Sequence, residues 1–460
     1  MTEVDLAVEN GTVVSATGRR RANVLVRRGR VVHVGPDRAT AAATVDASGL
    51  IVLPGGVDTH VHLMDPGSPD REDFIAGTRA AAASGVTTIL EHTHGHPIRS
   101  VDDLVAKRRH LQDRALVDYG LAAHAWPDSG QDVRALWAAG VAFFKLFTCT
   151  THGVPGHSAA QAWAHLRAAA EAGALTLMHC EDESMTEDAE RTLRAAGRLD
   201  EGIITEWRSR EAELVGVSVA ALLVRLTGAQ ATVAHVSHPA AAALITRERA
   251  LGAALAAEAC PQYFLLREAE VHELGALRKF TPPARARTDH DEALMWSLLR
   301  DGSLTHISSD HAPSTLAHKR DGDIWSVHFG LPGLDSTMAL LLDAVSRGAL
   351  SFEDVVRVYS TYPARRYGLF PRKGQLASGA DADIVLVDPD RRRVLRNEDV
   401  VSKAGWTPYA GRVVTGAVVR TYLRGELIAE AGKPLDTRSG RFLPGQGAHA
   451  HPAAAGQHNH

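Results

Sequence analysis

Eight short apolar runs, most of them followed by a stretch that reads as a helix, constrain this chain more than any other feature. They are GVDTHVHL (56–63), GVTTILEHT (85–93), YGLAAHA (119–125), VAFFKLFT (141–148), ALTLMHCE (174–181), ATVAHVSH (231–238), LAAEACPQY (255–263) and LTHISSDH (304–311). Apolar, β-branched runs of this length read as buried strands, and the Ala/Leu/Arg/Glu-rich stretches between them as helices. Strand-then-helix units in this number predict an α/β fold, a closed (β/α)8 TIM-like barrel. An open doubly wound sheet is the rival, but no GxGxxG supports a dinucleotide crevice. Almost every run ends in a polar residue: His60 and His62, Glu91 and His92, His124, Lys145, His179, His235, Asp310. In such a barrel the C-terminal strand ends form the active-site face, so these side chains are expected to gather there.

The flanks have another texture. Residues 5–48 alternate short β-like runs with Gly and Asn turns, and the pattern returns at 380–389 and 412–430. The expected division is a small β-sandwich domain built from both termini (1–53 and 366–433), a barrel over 54–365, and a C-terminal extension over 434–460. The Gly/Ala/His-rich end GQGAHAHPAAAGQHNH (445–460) has no apolar period and is expected to be disordered. With 45% apolar and 23% charged residues and a net charge of −4, the 460-residue chain gives no reason to expect nucleic acid or an anionic membrane as partner. The start carries no signal-peptide pattern, and no apolar stretch is long enough to span a bilayer. Cys149, Cys180 and Cys260 are far apart with no CxxC pair, which points to a reduced, cytoplasmic protein.

In a strand, residues i and i+2 face the same way, so His60 and His62 of DTHVHL project together and would chelate one ion. An HxH alone is weak evidence. With His179, His235 and Asp310 at other strand ends, four imidazoles and a carboxylate suit divalent metal, zinc first. Lys145 is the anomaly, a lysine inside VAFFKLFT. A buried ammonium is costly, and its neutral amine is nucleophilic. Carbon dioxide adding to it gives an anionic carbamate (N6-carboxylysine) with two oxygens to bridge two metals. A lysine reaching out to water is the plain alternative; the neighbouring ligand candidates favour the bridge.

The segments PGGVDTHVHLMDPG (54–67), FFKLFT, MHCEDE, AHVSH, EACPQYF (258–264) and SSDHAPS (308–314) resemble the cyclic amidohydrolases, and the likeness covers nearly the whole chain. That family includes dihydroorotases, allantoinases, hydantoinases and dihydropyrimidinases. This chain looks more like the first two. The resemblance implies that His60, His62 and Asp310 hold one metal and His179 and His235 the other, with carboxylated Lys145 between. It implies hydrolysis, or its reversal, of a ring C–N bond, with hydroxide as nucleophile and Asp310 as general base then acid. A homotetramer or dimer is also implied.

Positions that select the substrate depart from the family pattern. Met64 stands where dihydroorotases carry a carboxylate-gripping arginine and allantoinases usually an asparagine. The loop after the second run reads EHTHGHP, so His94 and His96 replace the usual amides. Ser314 replaces a histidine, and Thr150 replaces the oxyanion-binding tyrosine of hydantoinases. With His152, these six are the candidate substrate contacts. They make dihydroorotase activity a poor fit and leave allantoin, another ureide or a ring amide open. Glu181, Asp182 and Glu183 read as a solvated helix start with a supporting role at the metal site as the alternative, and Cys180 as a buried structural thiol. Two other readings are an esterase-like use of the same metals and a non-catalytic dihydropyrimidinase-like scaffold. The six intact ligand positions count against the scaffold.

Overall fold

A computed structural model describes residues 3–450 except Thr93 and Ser129. Both flanks enter one nine-stranded sheet. Ile51–Pro54 pairs parallel with Val4–Ser15 on one side and antiparallel with Ile384–Val394 on the other. The sheet continues outward through Gly18–Arg27 and Arg30–Gly35, and through Val413–Leu423 and Glu426–Glu430. Val8, Val24, Val52, Ile384 and Leu386 share one buried cluster, so neither flank closes its core without the other. That is the sharing expected from the recurrent β texture.

The middle is α/β. Its parallel strands are β1 (Gly56–Val61), β2 (Val86–Glu91), β3 (Asp118–Leu121, resuming at Ala123–His124), β4 (Phe144–Phe147), β5 (Leu175–His179), β6 (Gln230–Val233), β7 (Ala254–Ala259) and β8 (His306–Ile307). β1, β2 and the first half of β3 pair in one sheet; the second half of β3 pairs in order with β4 to β8 in another. Ala122, between the halves, donates to Glu91 O at 2.9 Å, and His62 N donates to His311 O at 2.8 Å just past β8. Helices follow the strands as expected, among them Phe74–Ala83, Val101–His110, Ala159–Ala172, Pro239–Ala250 and Leu334–Ser346. Ser100 and Ser158 start two of them with reciprocal capping boxes, satisfying end N–H groups that the helix itself leaves free.

β8 is shorter than its run. After Ile307 the backbone leaves the ladder, because Ser309 N is bound by both Asp58 carboxylate oxygens at 3.1 Å and Asp310 takes a positive φ of 48°. The expectation of disorder from residue 445 also needs correction. Gln446–Ala450 is a short helix against Val133–Ala139, and Gly445 N donates to Gly140 O at 2.8 Å. Residues 451–460 lie outside the described residues. No described helix is long and apolar enough to cross a membrane.

Candidate metal centre

His60 and His62, two apart on β1, point the same way, and both are buried. The two rings are fixed from behind. His60 Nδ1 donates to Glu258 Oε1 at 2.6 Å, and His62 Nδ1 donates to the His92 carbonyl at 2.6 Å. Each Nε2 is thereby left as a lone pair, and both lie 3.3 Å from Asp310 Oδ1. A ring nitrogen tied to a carboxylate or carbonyl with the other aimed at a common point is the usual arrangement of histidine ligands. Burial, opposed by Asp310, lowers His62 to about 4, so its imidazole is neutral at ordinary pH.

The second pair follows the same logic. His179 Nε2 donates to Glu181 Oε2 at 2.7 Å, which leaves Nδ1 facing His235 Nε2 at 2.9 Å. The His235 and His60 ring centroids are 5.5 Å apart. Lys145 comes from β4 between the pairs, 1% exposed, with Nζ 3.3 Å from His60 Nε2. Burial, only partly opposed by Asp310 and Glu258, lowers its pKa to about 8. Asp310 behaves oppositely: burial raises its pKa, but His60, His62 and Lys145 outweigh that and hold it below the usual carboxylate range. The structure thus brings the six expected ligands together at the C-terminal ends of β1, β4, β5, β6 and β8. Among the described residues His60, His62 and His92 form one group with metal-ligand spacing, and Cys149, His179 and Glu181 another.

The backbone is strained here. His235 and Asp310 have φ of 36° and 48°, as do Met64 and His152 in their loops at 56° and 53°. Left-handed residues other than glycine cost roughly 1–3 kcal/mol and persist where surrounding contacts impose them.

Asp58 and Glu258 were not singled out in the sequence, and Glu181 was given a supporting role only as the alternative. Asp58, inside the HxH segment, ties β1 to the Ser309 backbone and accepts from Tyr359 OH at 2.8 Å, which sets Asp310 beside the histidines. Glu258 sits behind His60. Glu181 is fully buried, which corrects the reading of it as part of a solvated helix start. It accepts from His179, from Thr281 Oγ1 at 2.7 Å and from Arg208 at 3.3 Å. Burial opposes its charge, yet Arg208 and His179 bring it down to about 2. The Arg210–Thr227 helix reaches it closely: a Cβ on Gly216 would lie 2.7 Å from Glu181 N. Only the order of acids after MHC hinted at Glu181; Asp58 and Glu258 gave no signal beyond lying in quoted motifs. Cys180 is buried, as expected.

A cavity of about 430 Å³ is lined by Met64, His94, His152, Arg71, Trp325 and Phe329 among others. Met64, His94 and His152 are therefore three candidate contacts that border it; His94 and His152 stack 4.6 Å apart at 6°. His96 is exposed and not part of the lining. Thr150 is exposed and bonds by its N–H and hydroxyl to Glu183, and Ser314 lies behind the wall, accepting from Arg71 Nε at 3.0 Å. Arg71 was absent from the expectations; nothing in its local sequence distinguishes it.

Residues 51–428 match the amidohydrolase family. The chain is 34% identical over 450 residues to an allantoinase of Rubrobacter xylanophilus, covering 96% of this chain and 98% of that protein. It is 30% identical to an L-hydantoinase of Paenarthrobacter aurescens, covering 94% and 96%. Among solved structures, an L-hydantoinase (dihydropyrimidinase) from Arthrobacter aurescens superposes with a TM-score of 0.91 at 29% identity, covering 96% of this chain and all of that one.

Proposed function

The chain belongs to the amidohydrolase family, and from that premise we propose that it opens a cyclic amide or ureide by hydrolysing a ring C–N bond at a binuclear metal centre. The observation that carries this reading is the convergence of His60, His62, Lys145, His179, His235 and Asp310, with each ring of the first three histidines held through its other nitrogen by Glu258, His92 or Glu181. The donor set fits two divalent ions, zinc first: His60, His62 and Asp310 for one, His179 and His235 for the other. The neutral Lys145 amine adds to carbon dioxide, forms an N–C bond, loses a proton and becomes a carbamate whose two oxygens suit a bridge. When bound, the ions would supply Lewis acidity at the amide carbonyl and lower the pKa of water towards neutrality. Asp310, whose carboxyl lies below the usual carboxylate range beside His60 and His62, accepts the proton of the attacking water and returns one to the leaving nitrogen.

The cavity beside these ligands is where the ring would lie. Met64 offers it no donor. Arg71, which burial brings to about 10 against Asp70, keeps its charge at neutral pH and orients a ring oxygen or a carboxyl substituent, while His94 and His152 add polar groups to the same lining. An allantoin-like ureide is the first reading and a hydantoin or dihydropyrimidine ring the second, following the names of the relatives. Dihydroorotate remains the weaker alternative because of Met64, and a non-catalytic scaffold because all six ligand positions are filled.

The same reading divides the chain into a (β/α)8 barrel over 54–365, a β-sandwich from 1–53 and 366–433, and an extension over 434–460. In its support, the two parallel sheets meet at Ala122 and at the His62–His311 hydrogen bond. We also read the protein as a cytoplasmic homo-oligomer, a dimer or tetramer. Val215, Val219, Leu222 and Leu226 stand exposed at helical spacing along Arg210–Thr227, a face suited to a second copy.

The test is hydrolysis by zinc-reconstituted protein, grown with bicarbonate, across allantoin, dihydroorotate, dihydrouracil, hydantoin, succinimide and a lactam. Turnover of allantoin that disappears in Lys145→Ala is the expected result. Ester hydrolysis without turnover of any ring amide would overturn it.

A further inference from the structure

A third group of imidazoles lies next to the proposed binuclear centre, formed by His92 at the end of β2, His94 in the following loop and His124 at the end of β3. Each offers a ligand atom, and those atoms lie within 4.8 Å of one another. His94 Nδ1 and His124 Nε2 are 3.2 Å apart. Two ring nitrogens bound at the usual zinc distance in tetrahedral geometry are separated by about 3.3 Å. None of the three is needed by the six ligands already described, although the His92 backbone carbonyl orients His62.

Hydrogen bonding within the group does not satisfy it. Only one proton can lie between His94 Nδ1 and His124 Nε2. Whichever ring donates it, His124 Nδ1 and both ring nitrogens of His92 have no partner among the described residues. His92 and His124 are 1% and 0% exposed. A buried polar atom left unpaired is destabilising, so a group with three such atoms is built to meet something. The donor set is all nitrogen with no carboxylate, which excludes the oxygen-preferring magnesium and calcium and suits zinc, cobalt, nickel or copper.

We infer that His92, His94 and His124 form a third metal site, taking one zinc-like ion per chain. His92 is shared in space with His60 and His62. A neutral imidazole has one lone pair; those of His60 and His62 face Asp310, and the His92 ring, which has no partner among the described residues, is free for the third site. His94 also lines the cavity, so an ion held by the three rings would lie at its wall. Such an ion would supply an electrophile from the loop EHTHGHP, where the family pattern has an amide. The inference concerns metal binding and holds whatever ring is opened.

The test is metal content of the full chain, stripped, reconstituted with zinc and freed of excess ion, compared with His94→Gln and His124→Gln. Wild type is expected to hold one more ion per chain than either variant; histidines near the C-terminus are present in all three proteins and cancel in the difference. Lys145→Ala, deprived of its proposed bridge, is expected to keep an ion that Lys145→Ala/His94→Gln loses. Cobalt titration adds a spectroscopic reading: a class of visible absorption bands present in wild type and missing from His94→Gln. Equal metal content in wild type and His94→Gln, with unchanged cobalt bands, overturns the site. His94 stands in a loop and is only half-buried, so its variant keeps the test open if His124→Gln fails to fold.

Discussion

At Lys145 two influences set the proton affinity of one amine. Burial pushes it down, Asp310 and Glu258 pull it back, and the balance stands at about 8. At that value about a tenth of the amine is neutral near pH 7 and about nine tenths near pH 9. Only the neutral form adds to carbon dioxide. The initial rate at which stripped protein regains metal, at fixed dissolved carbon dioxide, should therefore rise roughly tenfold over that interval and then level off. A rate independent of pH would mean that Lys145 acts as an ammonium. Glu258 invites a second experiment. Glu258→Gln loses the carboxylate that fixes His60, and zinc affinity measured against a competing chelator should fall by about 10- to 100-fold. Lys145 was legible because a charge inside an apolar run is anomalous on its face. Glu258 was not: in LAAEACPQY it is another acid, and its role exists only because β7 delivers it to His60, 198 residues away.

Elements are joined by buried charge. Lys373 Nζ lies 2.6 Å from Asp118 on β3, 2.9 Å from Asp381 and 2.7 Å from Asp383, which precedes Ile384–Val394. Arg424 bonds to the same Asp118 carboxylate. The cluster clamps the nine-stranded sheet to the base of the parallel strands, at the end away from His60, Lys145 and Asp310. Lys373→Met would leave three carboxylates facing one another and should destabilise by about 3–5 kcal/mol, seen as a lower thermal midpoint. An unchanged midpoint would mean the sheets hold together without it. At this scale strand and helix alternation was readable throughout, because side-chain periodicity is local. The end of β8 was not, since it depends on where Asp58 binds the Ser309 backbone.

For the molecule as a whole, Glu181 links acid stability to the site. Its carboxyl is held at about 2 when folded against an ordinary 4.5. The sign follows: a depressed carboxylate stabilises above its unfolded pKa, and that contribution fades as pH falls from about 4.5 towards 2. The thermal midpoint of wild type should drop more steeply below about pH 4.5 than that of Glu181→Gln; parallel curves would sink the assignment. The exposed stripe on Arg210–Thr227 predicts that Val219→Glu with Leu226→Glu lowers the mass in sedimentation without loss of helix content.

The sequence by itself determined the α/β alternation, the common sheet made by the two flanks, and which strand ends carry His, Lys and Asp. These follow from periodicity and residue chemistry, which neighbouring residues carry in full. Only the tertiary structure decided that Glu258 bonds to His60, Glu181 to His179 and Asp58 to the backbone beside Asp310, that Arg71 borders the cavity while His96 and Thr150 do not, and that His92, His94 and His124 meet. Those facts depend on which way side chains from distant segments point once the strands are packed, and no spacing along the chain encodes that direction.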